Sequence, residues 1–414
     1  MSFSNPYVII IIASSILIIS YLFGLIAKRT NIPSVLMLIL LGIGMSGFLE
    51  SYGLSSDDLM PVLRILGIIG LIMIVLEAAM DLKISKNKYP LIGRSFIAAF
   101  VMLMLTAISI AGIIVYLFGA SFLSAMLYGA PLAIISSAII IPSVENMVQN
   151  KKEFIIYESA FSDIFGIMAF YFSLNLLQST ESSMTVMLAF LLNLFLSFVV
   201  AILSSYLIVF FFKDLKSSNR LFLLVSIIFI LYCSSELLNL YPLIIVLGFG
   251  LSLANHEGFF RLFKNDYPQE KGDQIAKIKE ELHLITGETS FVLRTFFFLV
   301  FGMTINLSSL VDLNIFLISL GVLFAIYLSR FLVLKPLLKD GIFPELTLAP
   351  RGLLTILLFY TIPDSLSVPE FGHGIFLYVI LITSLVMTYG LIRDPGKAET
   401  LDSESLQSDP QSID

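Results

Sequence analysis

Asp163 stands in an apolar run, Ala160-Phe161-Ser162-Asp163-Ile164-Phe165, with Ser159 four residues before it and Gly166 three after. That spacing puts Ser159, Asp163 and Gly166 on one face of a helix. Ser162 is adjacent on the backbone. A carboxylate backed by hydroxyls and main-chain carbonyls is a hard oxygen site, suited to Na⁺, K⁺ or a similar ion. The same carboxylate can instead hold a proton, and a low-dielectric cavity favours that neutral form, which brings proton release towards physiological pH. The chemistry on offer is competition for one acid between one proton and one cation. The other reading is a buried acid paired with an arginine for structure alone.

Other residues could join this chemistry. Ser136 and Ser137 sit in an apolar stretch broken by Pro131 and Pro142; their hydroxyls could complete an ion shell or bond back to the preceding turn. Glu158 lies on the helix of Asp163, rotated well away from it. It could be a second ligand, but an ion pair with Arg351 is the preferred reading, since both are buried singletons of opposite sign. Arg294, in Glu288-Thr289-Ser290-Phe291-Val292-Leu293-Arg294, could balance Asp163, compensate exposed helix carbonyls, or pair with Glu288 or Glu77. Arg330 is expected to snorkel to an interface. Glu77 and Glu236 read as interfacial acids. Gly248 and Gly250 read as close-packing positions. No phosphate loop, HExxH pattern or His/Cys cluster occurs, so no cofactor and no enzymatic activity are expected.

The elements that must hold these residues are membrane helices. The chain has 414 residues, 58% of them apolar and 13% charged, with a net charge of −6. Its mean hydropathy is +0.97. Repeated runs of about 20 apolar residues fit only a polytopic helical membrane protein, and the absence of alternation excludes a barrel. The single cysteine, Cys233, excludes an intrachain disulfide. No cleavable signal is expected, and no nucleic-acid partner. Hydropathy places about thirteen spans. Span five covers about Leu123 to Met147, span six Phe154 to Leu177, span ten Leu282 to Ile305, span eleven Leu313 to Leu334 and span twelve Phe343 to Tyr360. The loop before span ten reads as partly an amphipathic surface helix, and residues 394–414 as a disordered, acidic cytoplasmic tail. Lys and Arg fall almost entirely on one side of this count, which puts the amino end outside and the carboxyl end in the cytoplasm of a cell-membrane protein. Spans five and twelve are both interrupted by Pro and Gly, in matching places of two halves. Inverted repeats whose broken helices cross at a transport site have that signature.

The pattern Glu158-Ser159-Ala160-Phe161-Ser162-Asp163 resembles the E-S-x-x-N-D of the sixth span in sodium/proton exchangers, members of the monovalent cation:proton antiporter superfamily. Ala349-Pro350-Arg351-Gly352-Leu353 is similar to the R-G signature of their interrupted twelfth span, and Arg294 with the following FFFLVFGM to their tenth. The resemblance covers about residues 7 to 393. It implies that Asp163 is the ion- and proton-binding aspartate and that Glu158 pairs with Arg351. It also implies a homodimer working by elevator-like alternating access, with a dimerisation part (about 7–80 with 184–254) and an ion-binding core (about 92–177 with 282–392). There are departures. Ser162 replaces the family's Asn, the T-D-P turn of the fifth span is absent, and Ser136-Ser137-Ala138-Ile139 looks like the S-S-T-A of the potassium-efflux branch, which leaves Na⁺, Li⁺ and K⁺ open.

The function expected is secondary exchange of H⁺ for a monovalent cation across the lipid bilayer, electroneutral because one carboxylate carries one charge either way. The alternative on the same architecture is cation-coupled transport of a small organic anion, anchored by Arg294 or Arg351. An intramembrane aspartyl protease would need two facing aspartates, and only Asp163 lies well inside a span.

Overall fold

The computed structural model describes residues 6–30, 32–50, 56–82, 86–144, 147–179, 182–212, 220–256, 269–305, 312–338, 341–368 and 371–393. The expected disordered tail, residues 394–414, and residues 257–268 of the loop before span ten lie outside these. Among the described residues there are helices and turns and no strand.

In chain order the helices are α1 (Pro6–Thr30), α2 (Ser34–Glu50), α3 (Ser56–Asp81), α4 (Tyr89–Phe118), α5 (Phe122–Ala133), α6 (Ser137–Ser143), α7 (Gln149–Gln178), α8 (Ser183–Phe212), α9 (Arg220–Leu237), α10 (Pro242–Ala254), α11 (Gln269–Met303), α12 (Leu313–Leu337), α13 (Leu353–Thr361) and α14 (His373–Ile392). Among the described residues, nine helical stretches are long and apolar enough to cross a membrane, and α5 with α6 counts as one of them. Local signals set their ends. Ser121 caps α5 by accepting from the Ser124 N–H, as an N-cap hydroxyl does. Gly119 ends α4 in the left-handed conformation, φ 64°, which glycine adopts without a Cβ clash.

Two boundaries differ from the sequence expectation. Span ten starts early: α11 runs for 35 residues from Gln269, because its polar first turns hold no Pro and are rich in Gln, Glu, Lys and Ala, which favour helix and carry it through the single Gly272. Span twelve is helical only from Leu353. Residues 343–347 form turns and 348–352 are non-helical, because Pro350 removes an amide and disfavours helix in the residue before it.

Helix α4 packs along α5 and α7, and α12 along α4 and α14; α11 packs along α2 and α3, and α10 along α3 and α8. The α2–α11 contact is backbone-close. A Cβ on Gly42 would strike the Leu299 carbonyl and Gly302, and one on Gly302 would strike the Ile39 carbonyl and Gly42. Small residues permit that approach in the absence of a hydrophobic drive between helices. Gly248 and Gly250 serve the same end, meeting Ala201 and Ala79. Span ten, expected with the ion-binding core, packs as α11 along α2 and α3.

Candidate functional site

Two interrupted segments meet beside Asp163. Helix α5 stops at Ala133, residues 134–136 are non-helical, and α6 restarts at Ser137. The last carbonyls of α5 lack their regular helical donors, apart from the Ile134 N–H that reaches the Pro131 carbonyl at 3.3 Å, and inside a membrane they must find partners in the protein. The other break supplies them. Thr355 donates its hydroxyl to the Pro131 carbonyl at 2.9 Å, and Arg351 donates Nε–H to the Leu132 carbonyl at 2.6 Å. The Ser136 N–H donates to the Pro350 carbonyl at 2.9 Å, joining the breaks through their backbones. Gly352 makes room for this, since a Cβ there would strike the Ser136 side chain. From α7, Ser162 Oγ accepts the Ile135 N–H at 3.0 Å.

Asp163 itself is 6% exposed. Ser137, the first residue of α6, donates its hydroxyl to Asp163 Oδ2. Oδ1 is buried with no hydrogen-bond partner among the described residues. The carboxylate and Ser137 border a cavity of about 20 Å³ whose walls include Val75 and Ala78 of α3, Leu82 just past its end, and Leu243 and Leu247 of α10. A void that size holds about one water-sized guest. A buried carboxylate oxygen left unbonded is costly, and a proton or a small cation would relieve that cost. On the other side of α6 lies a larger cavity, about 400 Å³, lined in part by Ser20, Ser34, Ala138, Pro142 and Arg294.

Glu158 lies on the far side of α7, fully buried, and its carboxylate meets Arg330 of α12: NH1 reaches Oε1 at 2.5 Å and NH2 reaches Oε2 at 3.4 Å. Arg330 also donates to the Glu345 carbonyl at 2.6 Å. Lys151 stands 3.5 Å from the Glu345 carboxylate and donates to the Phe343 carbonyl at 2.8 Å. Two acids and two bases thus tie α7, α12 and the turn before α13 together with no net charge left over.

The sodium/hydrogen exchanger transmembrane family matches residues 14–392. The chain belongs to that family. Its members are transporters and not enzymes, so cation–proton antiport is the class of activity of this multi-pass membrane protein. The fold is similar to that of the sodium proton antiporter MjNhaP1 from Methanocaldococcus jannaschii. Its structure at pH 8 aligns with a TM-score of 0.70 and 22% identity over 97% of this chain and 99% of that one. A structure of the same antiporter from an electron-microscopy map aligns with a TM-score of 0.68 and 22% identity over 99% and 100%. No curated protein matches the chain.

In this exchanger-family chain the residues singled out from sequence divide into two sets. Asp163, Ser137, Ser136 and Ser162 come together at the meeting of the two breaks, Ser162 bracing the break through Ile135 and Ser136 through its own amide. Ser159 does not join them by hydrogen bonding; its hydroxyl donates to Ile156 of its own helix at 3.1 Å. The expected Glu158–Arg351 ion pair is replaced by Glu158–Arg330. Arg351 is occupied by the carbonyls of Leu132 and, at 2.8 Å, Ala349. Arg330 does not snorkel: it is 1% exposed, because α12 continues past it to Leu337. Arg294 donates to the Ala138 carbonyl at 3.0 Å and to Ser290 of its own helix at 3.3 Å, which is the carbonyl-compensating reading. Sequence reasoning missed Thr355, Glu345 and the partnership of Arg330. For Arg330 a signal existed: a lone arginine, preceded by Ile326-Tyr327-Leu328 and Ser329 and followed by the apolar run Phe331-Leu332-Val333-Leu334.

Proposed function

We propose that this chain exchanges H⁺ for Na⁺, Li⁺ or K⁺ one for one, with Asp163 holding the proton and the cation in turn. The observation that carries the reading is the half-bonded Asp163 carboxylate: Oδ2 takes the Ser137 hydroxyl, while Oδ1 is buried and unbonded beside a cavity with room for one small guest. Glu158, the other fully buried acid of α7, is already neutralised by Arg330, which leaves one carboxylate to carry one charge and makes the cycle electroneutral. The similarity to MjNhaP1, described as a sodium proton antiporter, supports Na⁺ as the first ion to test.

The cavity lies between α3 and α10 on one side and α6 and α7 on the other. Movement of α4–α7 and α12–α14 against α1–α3 and α8–α11 would open it to the two faces of the membrane in turn, an elevator-type cycle, with α11 assigned to the stationary group by its packing. Ile18, Tyr21 and Leu22 on α1, and Leu188, Leu192 and Phe195 on α8, are exposed, a surface suited to lipid or to a second copy in a homodimer. The distribution of the basic residues supports a cell-membrane location with the amino end outside. Organic-anion transport loses one of its two anchors, since Arg351 is spent on backbone carbonyls.

The deciding experiment measures Na⁺-, Li⁺- and K⁺-driven proton movement in proteoliposomes for the wild type and Asp163→Asn. Exchange by the wild type alone supports the proposal. Retained exchange in the variant removes Asp163 from the mechanism.

A further inference from the structure

We propose that Arg294 is a positioning residue for the Asp163 site, holding α6 in place by supplying the hydrogen-bond donor that Pro142 lacks. In an α-helix the carbonyl of residue 138 accepts from the amide of residue 142; here that residue is proline, which has no N–H. Its neighbours are served within the chain. The Ile140 N–H reaches the Ser136 carbonyl at 3.0 Å and the Val144 N–H reaches the Ile140 carbonyl at 3.0 Å, while the Ser143 hydroxyl bonds the Ile139 carbonyl at 2.6 Å. The Ala138 carbonyl takes its donor from another helix, Arg294 NH1 of α11, at 3.0 Å.

Ala138 follows Ser137, whose hydroxyl holds Asp163. A short helix of seven residues has few contacts of its own to fix it, and a displacement of about 1 Å at a site of this kind is enough to lose function. Helix α11, seated on α2 through Gly42 and Gly302, anchors α6 in the arrangement seen here, and the bond is released when α6 moves past α11 in the proposed cycle. Beside the contact, Ala138, Pro142 and Arg294 all border the 400 Å³ cavity, so without the guanidinium the α6 carbonyl would face open space and no packed helix. Arg294 therefore acts on Asp163 through Ser137, without touching the cation.

The proposal rests on Asp163 being the exchanging acid, and its test separates the two. Na⁺-driven proton movement is measured in proteoliposomes for the wild type, Arg294→Ala, Pro142→Ala and the double variant. The charged donor is lost in Arg294→Ala, which is expected to slow exchange roughly tenfold and raise the apparent KM for Na⁺. Pro142→Ala restores an amide that can take the Ala138 carbonyl, so the double variant is expected to return to within about threefold of the wild type. In a Ser137→Ala background, Arg294→Ala should add little further loss. Where Arg294→Ala folds poorly, recovery of its melting temperature by Pro142→Ala is the readout. Wild-type rates in Arg294→Ala, or a double variant no better than Arg294→Ala in rate and in melting, overturn the positioning role while leaving Asp163 exchange standing. A wild type with no cation-driven proton movement overturns both.

Discussion

Glu158 and Arg330 form a two-pronged ion pair in which the acid's side chain is 1% exposed and the base's side chain 2%. A pair this dry adds little net stability, since desolvation offsets most of its attraction, but removing one member strands the other charge. Arg330→Ala is therefore expected to destabilise the protein by about 3–5 kcal/mol. Thermal unfolding in detergent checks this. Combining it with Glu158→Gln should recover a good part of the loss.

The identity of the partner can be tested directly. A double-mutant cycle between Glu158→Gln and Arg330→Gln should show a coupling of about 1–3 kcal/mol, and the cycle with Arg351→Gln a clearly smaller one. Equal couplings would mean that Arg351 shares the carboxylate.

Ser137 is the hydroxyl donor to Asp163. Ser137→Ala should leave the fold intact and weaken cation exchange by roughly tenfold to hundredfold, the worth of one hydrogen bond to a charged group. Initial rates in proteoliposomes decide it; unchanged rates would show that Ser137 is dispensable.

Proton and cation compete for one carboxylate in the proposed cycle. Lowering the pH adds protons to Asp163 and displaces the cation, so the apparent KM for Na⁺ should rise on acidification, by about tenfold per pH unit where the protonated form dominates. Saturating Na⁺ should restore the rate. A KM that is flat with pH would mean that the two ions bind different groups.

Gly352 permits the two breaks to touch. Gly352→Ala places a methyl against the Ser136 side chain and is expected to lower both melting temperature and exchange, at a cost of about 1–3 kcal/mol for overpacking. Gly112 is the control, because a methyl there would meet no atom within 4 Å: Gly112→Ala should be tolerated.

Much of this protein is determined one residue at a time. Long apolar runs can only be buried in lipid as helices, because the backbone must satisfy itself there; the spans and the all-helical class follow from that local demand, and the prolines flag the two interrupted segments, although the break in the first falls at residues 134–136, between Pro131 and Pro142. Asp163 stood out for the same reason, as an acid whose neighbours in the chain cannot solvate it. What remained undecided was who meets whom. A buried charge constrains only that some opposite charge or carbonyl be near; Arg294 and Arg351 each fitted that requirement for Asp163 or Glu158, while Arg330 read as a snorkelling residue. The tertiary fold settled the choice by geometry: α12 carries Arg330 past α7 opposite Glu158, while the broken α5 presents free carbonyls to Arg351 and the proline in α6 presents one to Arg294. These pairings join residues 156 to 219 positions apart, and no periodicity along the chain encodes contacts at such separations.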